Sequence, residues 1–118
     1  MRQITEESVN AFLNDRPYQK SNVHVQIELL KDDKGHTYKK VKYYLFGNLI
    51  AWYSIGGKYL FVSHCGWLTT TTKERLNAIL YQWLNIRLWQ EKQVWYYQKE
   101  GEEKQEWTKG ELIKKFKH

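Results

Sequence analysis

The sequence predicts an α+β fold: an antiparallel four-stranded meander packed by a central helix, with an N-terminal helix, a second β-hairpin and a short C-terminal helix. Three observations predict it. Apolar and polar residues alternate from Val23 to Leu29 and again through Val41, Tyr43 and Leu45, the period of strands with one buried face. Polar or glycine-containing turns punctuate these runs at 31–35, Gly47-Asn48 and Gly56-Gly57. A helical period then follows through Leu76, Ile79, Leu80 and Trp83.

Each element has its own signal. Thr5 reads as the N-cap of a first helix, with Glu6 and Glu7 in its first turn and Ile4 placed to staple onto Val9. Val9, Phe12 and Leu13 share its apolar face, and the helix should end before Pro17 because the preceding residue resists helical geometry. Strands follow from Ser21 and from about 37 to 46, joined by the turn Lys31-Asp32-Asp33-Lys34-Gly35, then at Leu49–Tyr53 and Tyr59–Ser63. Thr71 and Glu74 have capping-box spacing, which starts the central helix near residue 72 and carries it to about 84. The second hairpin turns at Glu91-Lys92, so that Trp89 opposes Val94 and Leu88 opposes Trp95. Thr108 and Glu111 repeat the capping spacing before Leu112, Ile113 and Phe116, predicting a terminal helix that also carries Lys114, Lys115 and Lys117.

A chain of 118 residues and 14.4 kDa has room for one core, so residues 1–118 are read as one domain. With a single cysteine, Cys65, neither an intramolecular disulfide nor a Cys-only metal cage is available. No apolar run approaches the ~18 residues of a membrane span, and the first residues lack the apolar stretch of a secretory signal, so no membrane partner is expected and the chain reads as cytosolic. Lys and Arg number 19 against 13 Asp and Glu, a net charge of +6 that favours polyanions or acidic protein surfaces. The same charge also serves solubility alone.

Three segments taken together resemble a known family. They are Ser21-Asn22-Val23-His24-Val25, Phe46-Gly47-Asn48-Leu49-Ile50-Ala51, and Gly66-Trp67-Leu68-Thr69-Thr70-Thr71-Thr72-Lys73-Glu74-Arg75-Leu76-Asn77. In order and spacing they are similar to a family of small tailed-phage proteins classed as a domain of unknown function, DUF8033. The likeness runs from Met1 to about Tyr97, so that 1–98 is the family-like α+β core and 99–118 a C-terminal extension with the short basic helix. The resemblance implies a phage or mobile-element origin and, with it, the cytoplasm of an infected host cell. It implies no activity and no functional residue.

The candidate binding residues fall in two groups. At the start of the central helix, Thr69, Thr70, Lys73 and Arg75 stand where free backbone N–H groups would hold a phosphate or carboxylate. The plainer reading is a capped helix with Trp67 beneath it and Arg75 and Asn77 tying it to the sheet. The chain also holds six Trp, nine Tyr and four Phe, too many to bury completely. Trp52, Trp83 and one side of the second hairpin are assigned to the core, leaving Tyr38, Tyr44, Tyr53, Tyr96 and Trp107 for the surface. Beside Lys39, Lys40, Lys42 and Arg87, such rings would stack on unpaired bases or anchor a protein interface, or merely pair across strands.

Catalysis has weaker support. His64 and Cys65 are sequence neighbours, which on a strand point to opposite faces, and His24, His36 and His118 show no metal-ligand spacing. Cys65 is therefore expected to be buried and structural. The acidic pairs Glu6-Glu7, Asp32-Asp33 and Glu102-Glu103 sit at a helix start or in polar turns, and no phosphate loop, G-x-S-x-G or H-E-x-x-H occurs. The expectation is a protein that is not an enzyme and takes no cofactor or metal. Its partner is a host protein or ribonucleoprotein, antiviral defence included; direct nucleic-acid binding and a structural role in the phage are the alternatives.

Overall fold

The computed structural model describes residues 3–67, 69–108 and 111–115. Within them the fold is α+β, with helices α1 (Gln3–Leu13) and α2 (Thr70–Leu84) and two antiparallel sheets. The larger sheet runs in the order β1 (Tyr18–Lys20), β2 (Val23–Lys31), β3 (Thr37–Leu45), β4 (Asn48–Ser54), β5 (Tyr59–Ser63) and β9 (Glu111–Lys115). The smaller joins β6 (Ile86–Glu91), β7 (Val94–Lys99) and β8 (Gln105–Glu106). The four-strand meander is present as β2 to β5, flanked by strands that the sequence pattern does not announce.

Helix α1 begins before Thr5, which is not its cap: Thr5 is buried inside the helix and its Oγ1 donates to Glu74 Oε1 at 2.5 Å. The helix stops where expected, through Asp15 in the left-handed region and a bond from Arg16 N–H to the Ala11 carbonyl at 2.9 Å, a Schellman closure. The tight turn between β3 and β4 is Phe46-Gly47, one residue earlier than expected, with both residues at positive φ and Asn48 already paired with Leu45. Helix α2 starts at Thr70 rather than near 72. Thr69, not Thr71, caps it by accepting from Thr72 N–H at 3.2 Å, since Glu74 is held by Thr5.

The second hairpin turns at Lys92-Gln93, so Trp89 opposes Tyr96 and Leu88 opposes Tyr97. The expected register was displaced by two partner residues, which preserves the faces, and Leu88, Trp95 and Tyr97 do point inward. The expected terminal helix is a strand. Residues Glu111–Lys115 pair with β5, Leu112 lying inward beside Val62 and Ile113 outward beside Phe61, because the backbone groups of β5 would otherwise form an open edge. Phe116 and Lys117 lie outside the described residues.

Both helices cover the inner face of the larger sheet. Phe12 is the centre of this packing, edge-on to Tyr43, Tyr53 and Trp83 at 5.8, 5.1 and 5.9 Å. Tyr53, expected at the surface, is buried there because its hydroxyl is satisfied: it donates to the Phe12 carbonyl at 2.6 Å and bonds Asp15. Trp107, also expected outside, is buried against Trp95 and His64, with its backbone N–H on the Trp95 carbonyl. Trp52 moves the other way, from expected core to the outer face of the sheet.

The buried Tyr43 hydroxyl lies 2.7 Å from Ser8 Oγ, and burial raises its pKa from 10.0 to about 12, partly offset by Ser8 and by the nearby Arg75. An unfolded chain sheds this proton near 10 while the folded chain keeps it to about 12. Stability from this group is intact below pH 10 and falls by roughly 2–3 kcal/mol as pH climbs to 12. Tyr43→Phe should cost about 1 kcal/mol at neutral pH and flatten that alkaline decline. Urea midpoints across the alkaline range check this; parallel declines in the two proteins would contradict it.

Candidate functional site

The face of the larger sheet turned away from both helices is the main candidate site. Strand alternation puts Gln26 and Glu28 of β2, Lys40, Lys42 and Tyr44 of β3, Trp52 of β4, Phe61 of β5 and Ile113 of β9 on it, in that lateral order. Trp52 and Phe61 are direct cross-strand partners and stack with centroids 5.4 Å apart and planes 5° from parallel. Beside them Ile113 is 54% exposed. Lys42 Nζ sits 2.5 Å from Glu28 Oε2, and the bond to Glu28 raises the lysine pKa despite partial burial. The result is an apolar stripe edged by a fixed ion pair. His24 and Tyr44 make a looser ring contact at 6.3 Å along the same face.

This placement sorts the sequence candidates. Lys40, Lys42 and Tyr44 share the open face, but Lys42 is occupied by Glu28. Lys39 projects to the opposite side, paired with Leu29 beyond the reach of the helices, where it is exposed. Trp52, Phe61 and Ile113 were not among the candidates. The signal that points to Trp52 is the parity of Lys42, its cross-strand neighbour on the open face.

The anion-site candidates at the start of α2 do not assemble. Thr69 spends its side chain as the cap, Lys73 Nζ donates to Gln90 Oε1 at 3.3 Å, and Arg75 is an interior residue with 1% of its surface exposed. Asn77 does tie the helix to β6, accepting from Leu88 N–H at 2.9 Å. Trp67 is 56% exposed rather than packed beneath α2. It lies with Phe46 at the rim of an apolar cavity of about 410 Å³ floored by Leu45 and Ile50.

Arg75 is a buried cation with one loose ion pair, its Nη1 4.0 Å from Glu74 Oε1. Among the described residues its Nε and Nη1 have no hydrogen-bond partner. Glu74 retains its bond from Thr5 without the arginine. Removing one partner of a buried ion pair is destabilising, because the remaining charge is left without its counter-ion. Arg75→Met is therefore expected to lower the thermal midpoint by several degrees; a rise of similar size would contradict this reading.

Arg87 and Tyr96 form a separate patch on the outer face of the smaller sheet. Tyr96 stacks on Trp89 at 6.0 Å with Lys104 Nζ 4.7 Å from its ring centroid, and the Arg87 guanidinium lies 5.7 Å from the Tyr81 ring. Both cations are thus engaged with rings of their own chain. Nor do His64 and Cys65 form a reactive pair. Burial against Trp95 and Trp107 lowers the His64 pKa, and its Nδ1 accepts from Gly66 N–H, while Cys65 is exposed, not buried, with Sγ donating to the Leu49 carbonyl. The chain leaves β5 through a turn with Cys65 at positive φ, which takes the thiol out of the core. Among the described residues no three His, Cys, Asp or Glu side chains gather as a metal-holding group, and no helix is long and apolar enough to cross a membrane.

The architecture defines a small α+β protein with one helix-covered sheet face and one open face. The chain belongs to the Kyanoviridae Gp96 protein family, matching it over residues 1–114. No curated protein and no solved structure matches it. The family is a phage one, as the resemblance implied, though matched under another designation than DUF8033, and the match continues beyond Tyr97 through β8 and into β9 as far as residue 114. Membership places the protein among phage accessory or structural proteins.

Proposed function

We propose that this protein is a non-enzymatic phage accessory factor that acts by binding a host protein or ribonucleoprotein through the open face of its six-stranded sheet, with antiviral defence of the CRISPR type as its target class. The observation that carries the reading is the stacked Trp52–Phe61 pair continuing into exposed Ile113. Aromatic anchors with an apolar neighbour and a polar rim are what protein interfaces are built from, and a contiguous exposed patch of this kind marks an interaction site. Binding rather than catalysis is supported by the structural employment of the chain's titratable groups: Glu28 holds Lys42, Glu7 accepts from Tyr18, Asp32 organises the β2–β3 turn and His64 is packed between tryptophans.

A photo-crosslinking residue, p-benzoylphenylalanine, in place of Trp52 tests this in infected host cells. The expected result is a discrete adduct with a host protein, present also in uninfected cells that express the variant. Adducts only with other phage proteins or with the protein itself would overturn it in favour of a structural role.

A further inference from the structure

Resting on the reading that the protein works by binding, we propose that the β2–β3 turn end of the larger sheet is a second contact site, for single-stranded nucleic acid. The antiparallel register gathers there residues far apart in sequence: Lys31 lies opposite Thr37, Leu29 opposite Lys39, Leu30 opposite Tyr38 and Lys40 opposite Ser54, while Ile55 N–H bonds the Lys39 carbonyl. Lys34 is in the turn itself, and Lys58 leads into Tyr59 at the start of β5.

Two properties distinguish this end. Its lysines are uncommitted: Lys31, Lys34, Lys39, Lys40 and Lys58 form no ion pair among the described residues, whereas Lys20, Lys42 and Lys104 pair with Glu7, Glu28 and Glu91. Three carboxylates lie nearby and two are occupied: Asp32 by Lys34 N–H, His36 N–H and the His36 ring, and Glu28, directly across from Lys40, by Lys42, which leaves Asp33. Much of the chain's net charge of +6 is therefore displayed at one edge of the molecule. The second property is uncovered rings: Tyr38 is 37% and Tyr59 48% exposed, both on the open face by strand parity. Strand spacing sets them roughly 12 Å apart, Tyr38 two residues along β3 from Lys40 and Tyr59 two strands across from it.

Lysines with flexible stems around exposed rings are suited to a flexible polyanion whose bases are free to stack. A duplex would hide its base faces from these rings, since duplexes are read through their grooves. The phosphates fall to the lysines and the bases to Tyr38 and Tyr59.

The test is fluorescence anisotropy of labelled oligouridine and oligothymidine, titrated at several salt concentrations with the full chain. The triple variant Lys39→Ala, Lys40→Ala, Lys58→Ala should flatten the log–log salt slope by about two units, from ~0.7 per phosphate contact on a single strand. Tyr59→Ala should weaken binding by roughly 5- to 150-fold with the slope unchanged. Replacing Lys20, Lys73 and Lys104 together removes the same charge elsewhere and should leave the slope as in the unaltered protein. Equal slopes for the two triple variants, equal affinity for a polyglutamate of matched charge, or no binding at all overturns the proposal. The Trp52 crosslink lies on the neighbouring stripe and does not depend on these lysines, so its adduct persisting beside a failure here leaves the accessory-factor reading standing.

Discussion

Replacing Phe12 with alanine is expected to destabilise the fold by about 3–5 kcal/mol, the usual cost of removing a fully buried phenylalanine. Phe12 has 0% of its surface exposed and its ring contacts Tyr43 of β3, Tyr53 of β4 and Trp83 of α2. Its loss opens a cavity where α1, α2 and the sheet meet, and α1 cannot slide to fill it. The helix is pinned by the bond from Tyr53 to the Phe12 carbonyl, by Ser8 to Tyr43 and by Thr5 to Glu74. Domains of this size are stable by only ~5–15 kcal/mol, so the variant should sit close to its unfolding threshold. Equilibrium urea unfolding measures the difference, and a loss under about 1 kcal/mol would mean that α1 is peripheral to the core.

Ending the chain at Thr108 is expected to have an effect of similar size with an additional symptom. Removing β9 strips the backbone partners of β5 along Tyr59–Ser63, uncovers Val62 where Leu112 lay beside it and withdraws Lys114 from the Tyr97 ring, 4.7 Å away. With ladder bonds worth ~1 kcal/mol each, the loss should reach about 3–5 kcal/mol. The additional symptom is self-association: β5, carrying Tyr59 and Phe61, becomes an edge able to pair with another chain. Sedimentation velocity alongside urea unfolding checks both parts. A truncated chain that stays monomeric and unfolds at the original midpoint would show that the terminal segment is dispensable.

That strand also marks the limit of what patterning reveals. The spacing of Leu112, Ile113 and Phe116 fits a helical stripe, and a five-residue strand offers too few positions for period two to stand out, so only the vacancy beside β5 decides. β1 escaped notice for the same reason: Tyr18–Lys20 is too short to alternate visibly. β2 and β3, long and one-sided, were legible in full with their turn. Errors of one residue in the turns came from positive-φ positions taken by Phe46, Lys92 and Gln93, residues that do not advertise a left-handed backbone.

The open face was half legible. Lys40 and Tyr44 stand out by their neighbourhood of charge and rings, whereas the sequence reading assigns Trp52 to the core and Tyr53 to the surface. The fold reverses both, since parity sends Trp52 outward and Phe12 and Asp15 satisfy the Tyr53 hydroxyl. Arg75 misled in the same manner, its charge suggesting a ligand while its place on α2 turns it to the interior.

The open sheet face is the centre of this account, and the measurement that tests it most directly is partner recovery by the double variant Trp52→Ala, Phe61→Ala. Both side chains are only partly buried on the face away from the helices, so the variant should keep its fold, as judged by circular dichroism. Against the host protein identified through the Trp52 crosslink, binding should weaken at least 30-fold, from ~2 kcal/mol or more for a central aromatic anchor pair. A folded double variant that binds the same partner with undiminished affinity would contradict the assignment of this face.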